Sequence, residues 1–213
     1  YAPLSSGGNP IKIKCLNPED FLSELVKVLT TIDVKVVLVS FPHNPTTITV
    51  TQDFYEELVF LARKHNFLIV NDFAYSDVYF DGPRPPSLLQ SDKELTNSVE
   101  LYSLTKGYSM AGWRVGFAIG NKEAIQALTK LKSYIDYGTF QPIQIASTVA
   151  INDLDEYPLE VSDIYRERRI LVTESLESLG FDVYQSNATM FVWAKIPLAS
   201  TKTSMDFSLA VLE

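Results

Sequence analysis

Three short apolar runs, at residues 36–40, 67–72 and 100–103, each close on polar residues. Runs of Val, Ile, Leu and aromatics of this kind fit buried strands of a parallel sheet, whose carboxyl ends are where such sheets carry function. Between the first two lies segment 51–66, in which Phe54, Leu58, Leu61 and Ala62 share one helical face and Thr51 stands as N-cap. Strand, helix and strand at this spacing predict a right-handed crossover. A fourth strand is predicted over 115–119, and Gly120-Asn121 then turns into a helix whose Ile125, Leu128 and Leu131 recur every third residue. Pro142 opens a further helix, 153–156 is a polar break, and Pro158 and Gly180 bracket a long charged helix containing Tyr165, Ile170, Leu171 and Leu176. Two strand-like pieces, 181–184 and 190–195, follow. The pattern predicts an α/β fold with a large domain over 1–155, then a linking helix and the beginning of a smaller α+β domain over 156–213.

Composition narrows the functions available. The chain has 213 residues and a net charge of −8, from 26 acidic against 18 basic side chains. That balance argues against nucleic acid and anionic membrane surfaces, so any bound anion must be held by a local cluster. Cys15 is the single cysteine, which excludes an intramolecular disulfide and fits a buried bystander thiol in a reducing compartment. With no apolar run of spanning length and no signal-peptide pattern, the cytoplasm is the expected location. Both ends, Tyr1 and Glu213, read as truncations of a longer chain.

Three polar groups stand at or just beyond the ends of the three apolar runs: Asn44, Asp72 and the segment Ser103-Leu104-Thr105-Lys106. In an open α/β sheet those ends face one crevice, so residues distant in sequence converge on one ligand. Taken singly, each has a plain structural account: a loop cap for Asp72, a turn for Asn44-Pro45 and a solvated surface chain for Lys106. His43 and His65 lack metal-site spacing, and Asp72, Asp77 and Asp81 with Gly82 do not follow a calcium-loop pattern.

Asn44-Pro45-Thr46, Asn71-Asp72-Phe73-Ala74-Tyr75, Ser103 to Lys106 and Gly112-Trp113-Arg114-Val115-Gly116 resemble, in order and spacing, the active-site segments of class I aminotransferases of fold type I. The likeness covers nearly the whole chain. Asn44 and Asp72 stand 28 residues apart, Asp72 and Tyr75 three, Ser103 and Lys106 three, and Lys106 and Arg114 eight, and four agreeing intervals are far more specific than a lone Ser-x-x-Lys. The resemblance implies a mostly parallel sheet with helices on both faces and pyridoxal 5′-phosphate (PLP) as cofactor. It implies that Lys106 forms the Schiff base and moves the substrate Cα proton, which needs an amine neutral part of the time. On the same resemblance Asp72 would face the pyridine nitrogen, and Tyr75 and Asn44 would bond the phenolic oxygen, with Asn44 also touching the substrate carboxylate. Ser103 and Arg114 would bind the phosphate, and the small residues Ala111-Gly112 and Gly116 permit close backbone approach.

Within the family, residues 132–140 with Pro142 and Gln144, and 193–197 near the end, look like bacterial alanine aminotransferases of the subgroup that includes LL-diaminopimelate aminotransferases. The resemblance therefore favours amino transfer between alanine and 2-oxoglutarate, with aspartate or LL-diaminopimelate as alternative donors. A PLP-dependent lyase or decarboxylase, or a non-catalytic aminotransferase-like domain, would share the same cofactor residues. His43 and Thr47 depart from the commoner Asn-Asn-Pro-Thr-Gly loop, which bears on the substrate side. The resemblance also implies a homodimer, a chain nearly twice this length, and further phosphate-binding, ring-stacking and carboxylate-clamping groups in the remainder.

Overall fold

A computed structural model describes residues 2–14, 17–197 and 203–212; Cys15 lies outside them. The elements run α1 (Ala2–Ser5), α2 (Pro18–Leu29), β1 (Val36–Ser40), α3 (Gln52–His65), β2 (Leu68–Asp72), β3 (Ser98–Ser103), α4 (Leu104–Gly107), β4 (Gly116–Gly120), α5 (Lys122–Ile135), α6 (Gln141–Asp153), α7 (Tyr157–Ser178), β5 (Asp182–Val183), β6 (Ala194–Lys195) and α8 (Ser204–Leu212). Single turns of 3₁₀ helix occur at Leu88–Gln90 and Ala111–Trp113.

The crossover forms as its sequence dictates. Thr51 is the N-cap of α3 and its hydroxyl accepts from Phe54 N at 3.3 Å, while Asn66 closes the helix in the left-handed conformation at φ 57°. Arg63, Lys64 and His65 in the last turn complement the helix dipole. The apolar face of α3 buries Phe54, Leu58, Leu61 and Ala62 against Val37, Val39 and Ile69 of the sheet, with Leu25 and Leu29 of α2 completing this core.

The main sheet has the order β1-β2-β3-β4, the first three strands parallel and β4 antiparallel to β3. The fourth strand therefore does not continue the parallel alternation. The short α4 and the turn after it reverse the chain beside β3, leaving no room for a crossover helix. Gly116 and Gly120 allow this close antiparallel approach: a Cβ at 116 would lie 2.5 Å from the Tyr102 carbonyl oxygen, and one at 120 only 2.1 Å from that of Ser98.

Two expectations are corrected by burial. The run 36–40 is apolar throughout, yet Val36 and Leu38 are 53% and 64% exposed, because the described residues cover only the face carrying Val37 and Val39. In α5, likewise, Leu128 and Leu131 form no buried stripe. The 153–156 break is shorter than predicted, since α6 continues through Asp153.

Gly180, at φ 84°, ends the long α7 at the predicted C′ position. Beyond it, the two predicted strands shrink to the two-residue ladder β5–β6. Segment 187–189 bonds the segment after β2 instead: Phe80 N donates to Asn187 O at 2.9 Å, Thr189 N to Val78 O at 2.8 Å, and Tyr79 bridges Ala188. Arg169 of α7 braces this junction through the Ser186 carbonyl, Asp81 and the face of Phe80.

Replacement of Leu58, fully buried under the sheet, by alanine should destabilise the fold by about 3 kcal/mol, and Thr51→Ala by about 1 kcal/mol. Urea unfolding checks the order; equal, negligible losses would contradict this account of the crossover.

Candidate active site

The site is built by register. Ser40 pairs with Asp72 and Asp72 with Leu101, so β1 and β2 end level while β3 runs two residues further, to Ser103, and the segments that follow leave the same end of the sheet. The loop after β1 is tied down by Asn71, whose Oδ1 accepts from Phe41 N at 3.4 Å and whose Nδ2 donates to Glu100 at 3.0 Å. His43 Nδ1 meets Thr46 Oγ1 at 2.7 Å, and Thr47 N donates to His43 O at 2.8 Å. Thr47, where glycine is commoner, is held at φ 64° and is buried. Burial pushes the His43 imidazole below its ordinary value, which keeps it neutral.

Asn44, Tyr75 and Lys106 come together directly. Asn44 Nδ2 donates to the Tyr75 hydroxyl at 3.3 Å, and Lys106 Nζ lies 5.7 Å from the centroid of the Tyr75 ring. Asp72, at the end of β2, accepts from Ala74 N at 3.2 Å through Oδ1. Among the described residues its second oxygen takes no hydrogen bond, and Lys106 has no ion-pair partner. Burial, and then the Asp72 carboxylate, push the Tyr75 phenol above its ordinary value, while the Asn44 amide pulls the other way.

Ser103 and Arg114 stand next to this group without touching it. Ser103 is the N-cap of α4 and accepts from Thr105 N at 3.2 Å. The register Ser103↔Gly116 brings Arg114 to within two residues of the position facing Ser103. Arg114 is exposed, adopts φ 53°, and donates from Nη1 to Ala111 O at 3.0 Å. Around it, nothing lies within 4 Å of a Cβ built at Gly112, while Gly116 packs on β3.

One site neighbour escaped the sequence. Phe191 presents its ring to Tyr75 at 5.3 Å and 61°; its apolar character predicted only a strand. Asn71 was visible as part of a motif, and its signal was a polar side chain ending an apolar run. A separate cleft of about 420 Å³, lined by Arg84, Ser87, Glu100, Tyr102 and Phe117, contains none of the six predicted site residues.

The chemistry of this donor set suits a planar, anionic, basic-nitrogen ligand. An amine with no ion-pair partner, a carboxylate with an uncommitted oxygen, an amide–phenol pair and a nearby guanidinium occupy one sheet edge. The family model "Aminotransferase class I and II" matches residues 4–213. An LL-diaminopimelate aminotransferase of Natranaerobius thermophilus is 38% identical over 211 residues, covering 98% of this chain and 54% of that protein. The glutamate-pyruvate aminotransferase AlaC of Escherichia coli is 36% identical over 199 residues, covering 92% and 48%. A solved aminotransferase structure from Staphylococcus aureus superposes with a TM-score of 0.87 at 30% identity, covering 99% of this chain and 56% of that one. The chain thus spans about half the length of the curated relatives it matches. Among the described residues, no helix is long and apolar enough to cross a membrane.

Tyr55, Tyr75, Tyr102 and Tyr108 all carry raised phenols, with burial the largest cause in each. Each therefore contributes stability that is fully present below the ordinary value of 10.0 and is lost as pH climbs through the raised folded values. In an alkaline titration followed by tyrosinate absorbance, these four should ionise at higher pH than the exposed tyrosines. A single transition near pH 10 for all 11 tyrosines would contradict that. On its sequence and fold, the chain belongs to the class I and II aminotransferase family.

Proposed function

We propose that the full-length protein is a PLP-dependent aminotransferase and that Lys106 carries the cofactor. The observation that supports this most is the meeting of Asn44, Tyr75 and Lys106 beside Asp72 at the carboxyl ends of three parallel strands. Family membership adds to it, since class I aminotransferases are generally PLP-dependent and act on amino acids and 2-oxo acids. When bound, PLP supplies an electron sink for the electron pair released at the substrate Cα.

The remaining work falls to this chain. The free oxygen of Asp72 holds a proton at the ring nitrogen, where a charge-assisted bond is strong because the carboxylate is half-buried. Asn44 and Tyr75 offer an N–H and an O–H to an oxygen substituent of the ring. Lys106, freed by substrate, moves the proton at the substrate Cα. Ser103 and Arg114 hold the phosphate, the guanidinium providing the charge that an acidic chain otherwise lacks. In this proposal residues 1–155 form most of the cofactor domain, and 156–213 link to and begin the smaller one.

For the donor we favour alanine with 2-oxoglutarate, on the likeness of residues 132–140 and 193–197 to alanine aminotransferases and on the AlaC relative. The relatives named LL-diaminopimelate aminotransferase, at similar identity, favour LL-diaminopimelate as the second reading. A homodimer is proposed as well: Tyr134, Tyr137 and Phe140, flanking the α5–α6 connection, are 77%, 93% and 71% exposed, which a second copy would cover.

In the full-length protein, a panel of amino donors with 2-oxoglutarate should give acceptor-dependent turnover, and Lys106→Ala should lower it by about a thousandfold or more. Asp72→Asn should lose turnover while still retaining cofactor, and Arg114→Ala should weaken cofactor retention more than it changes unfolding. Turnover independent of the 2-oxo acid would point to a lyase or decarboxylase, and full activity in Lys106→Ala would refute the assignment.

A further inference from the structure

Asp77 is a buried carboxylate outside the six proposed site residues. It is only 6% exposed, and burying such a charge costs several kcal/mol unless it is paired and hydrogen-bonded. Its contacts reach the segments that carry Tyr75, Ser103 and Lys106. Asp77 closes the turn containing Tyr75. Its Oδ2 accepts from the phenol of Tyr102, the residue before Ser103, and its Oδ1 from the guanidinium of Arg84. Its backbone oxygen accepts from Ser162 Oγ of α7 at 2.8 Å. The side chain itself lies against Gly107, next to Lys106: a Cβ at 107 would come within 2.7 Å of Asp77 Cβ and 3.0 Å of Oδ2.

We propose that Asp77 is a positioning residue that locks the segments of Tyr75, Ser103 and Lys106 to one another, setting where the Lys106 amine stands relative to the Tyr75 ring. The need for a lock follows from α4, a helix of a single turn that cannot hold its own shape, since short helices are marginal without packing. Leu104 and Gly107 fix one side of it by burial, Leu104 against Met110 and Ala150, and Gly107 against Asp77. Only glycine at 107 lets the carboxylate approach closely enough to reach Tyr102 on β3 while touching the turn that follows Lys106. Tyr102 extends the lock to β4, its ring stacked on Phe117 at 4.8 Å and 27°. What Lys106 does chemically rests on the cofactor proposal above; the lock is a matter of packing and hydrogen bonding.

The test uses full-length protein carrying Asp77→Ala, Asp77→Asn or Gly107→Ala, with two readouts. Backbone hydrogen exchange in residues 104–108 should rise by about tenfold in Asp77→Ala while the amides of α3 hold their wild-type rates. The pH midpoint of the absorbance of the borohydride-reducible PLP adduct should shift by about half a unit in the same variant. Asp77→Asn retains the volume and an acceptor for Tyr102, and should recover most of both effects. Gly107→Ala should reproduce the local exchange increase with the carboxylate intact, and decides the matter if Asp77→Ala does not fold. Unchanged exchange at 104–108, or an equal rise in α3, would overturn the lock. An adduct midpoint that does not move would overturn its control of Lys106. If wild type forms no reducible adduct, the cofactor proposal fails, and the exchange pattern still judges Asp77.

Discussion

The parallel register of β1, β2 and β3 is the constraint on which the remaining structure depends. Because Ser40, Asp72 and Leu101 are register partners, the segments holding Asn44, Tyr75 and Lys106 leave the same end of the sheet and need span only a few residues to meet. A shift of one residue in β2 would turn Asp72 to the opposite face and carry Asn71 out of its bond to Glu100. The core under α3 therefore does more than stabilise. By burying Val37, Val39 and Ile69 on one face, it fixes which side chains are available at the strand ends.

Electrostatics is arranged around that edge with little spare charge. In an acidic chain, the cations at the site are Lys106 and Arg114, and the acids around them have separate duties. Asp77 is committed to Arg84 and Tyr102, and Glu100 to Asn71, Ser87 and the Leu88 amide. Asp72 alone retains an uncommitted oxygen. The arrangement leaves one carboxylate uncommitted, the one proposed to meet a ring nitrogen, and commits the other two to structural bonds.

Much of this was legible in the sequence because it is written in local signals. Thr51, Asn66 and the apolar face between them specify α3 by capping and periodicity, and the four motif segments carry their spacing openly. The antiparallel turn of β4 was not legible, because residues 115–119 pattern alike in either direction and the reversal is made by the α4 turn and by Gly116 and Gly120 fitting against β3. Nor was the contact of Phe191 with Tyr75, which depends on segment 187–189 pairing with 78–80 across a long stretch of chain. Val36 and Leu38 read as buried because both faces of β1 are apolar, yet the described residues cover only one of them. The role of Asp77 was hidden for a different reason: its meaning comes from a glycine, a tyrosine and an arginine that no short motif joins.

The central claim, that the geometry at this sheet edge serves a cofactor held on Lys106, is tested most directly by peptide mass mapping of full-length protein reduced with borohydride after incubation with PLP. The account predicts one dominant pyridoxyl-modified peptide, containing Lys106, at about one equivalent per chain. Modification of a different lysine, or a diffuse spread over surface lysines with Lys106 unmodified, would contradict it.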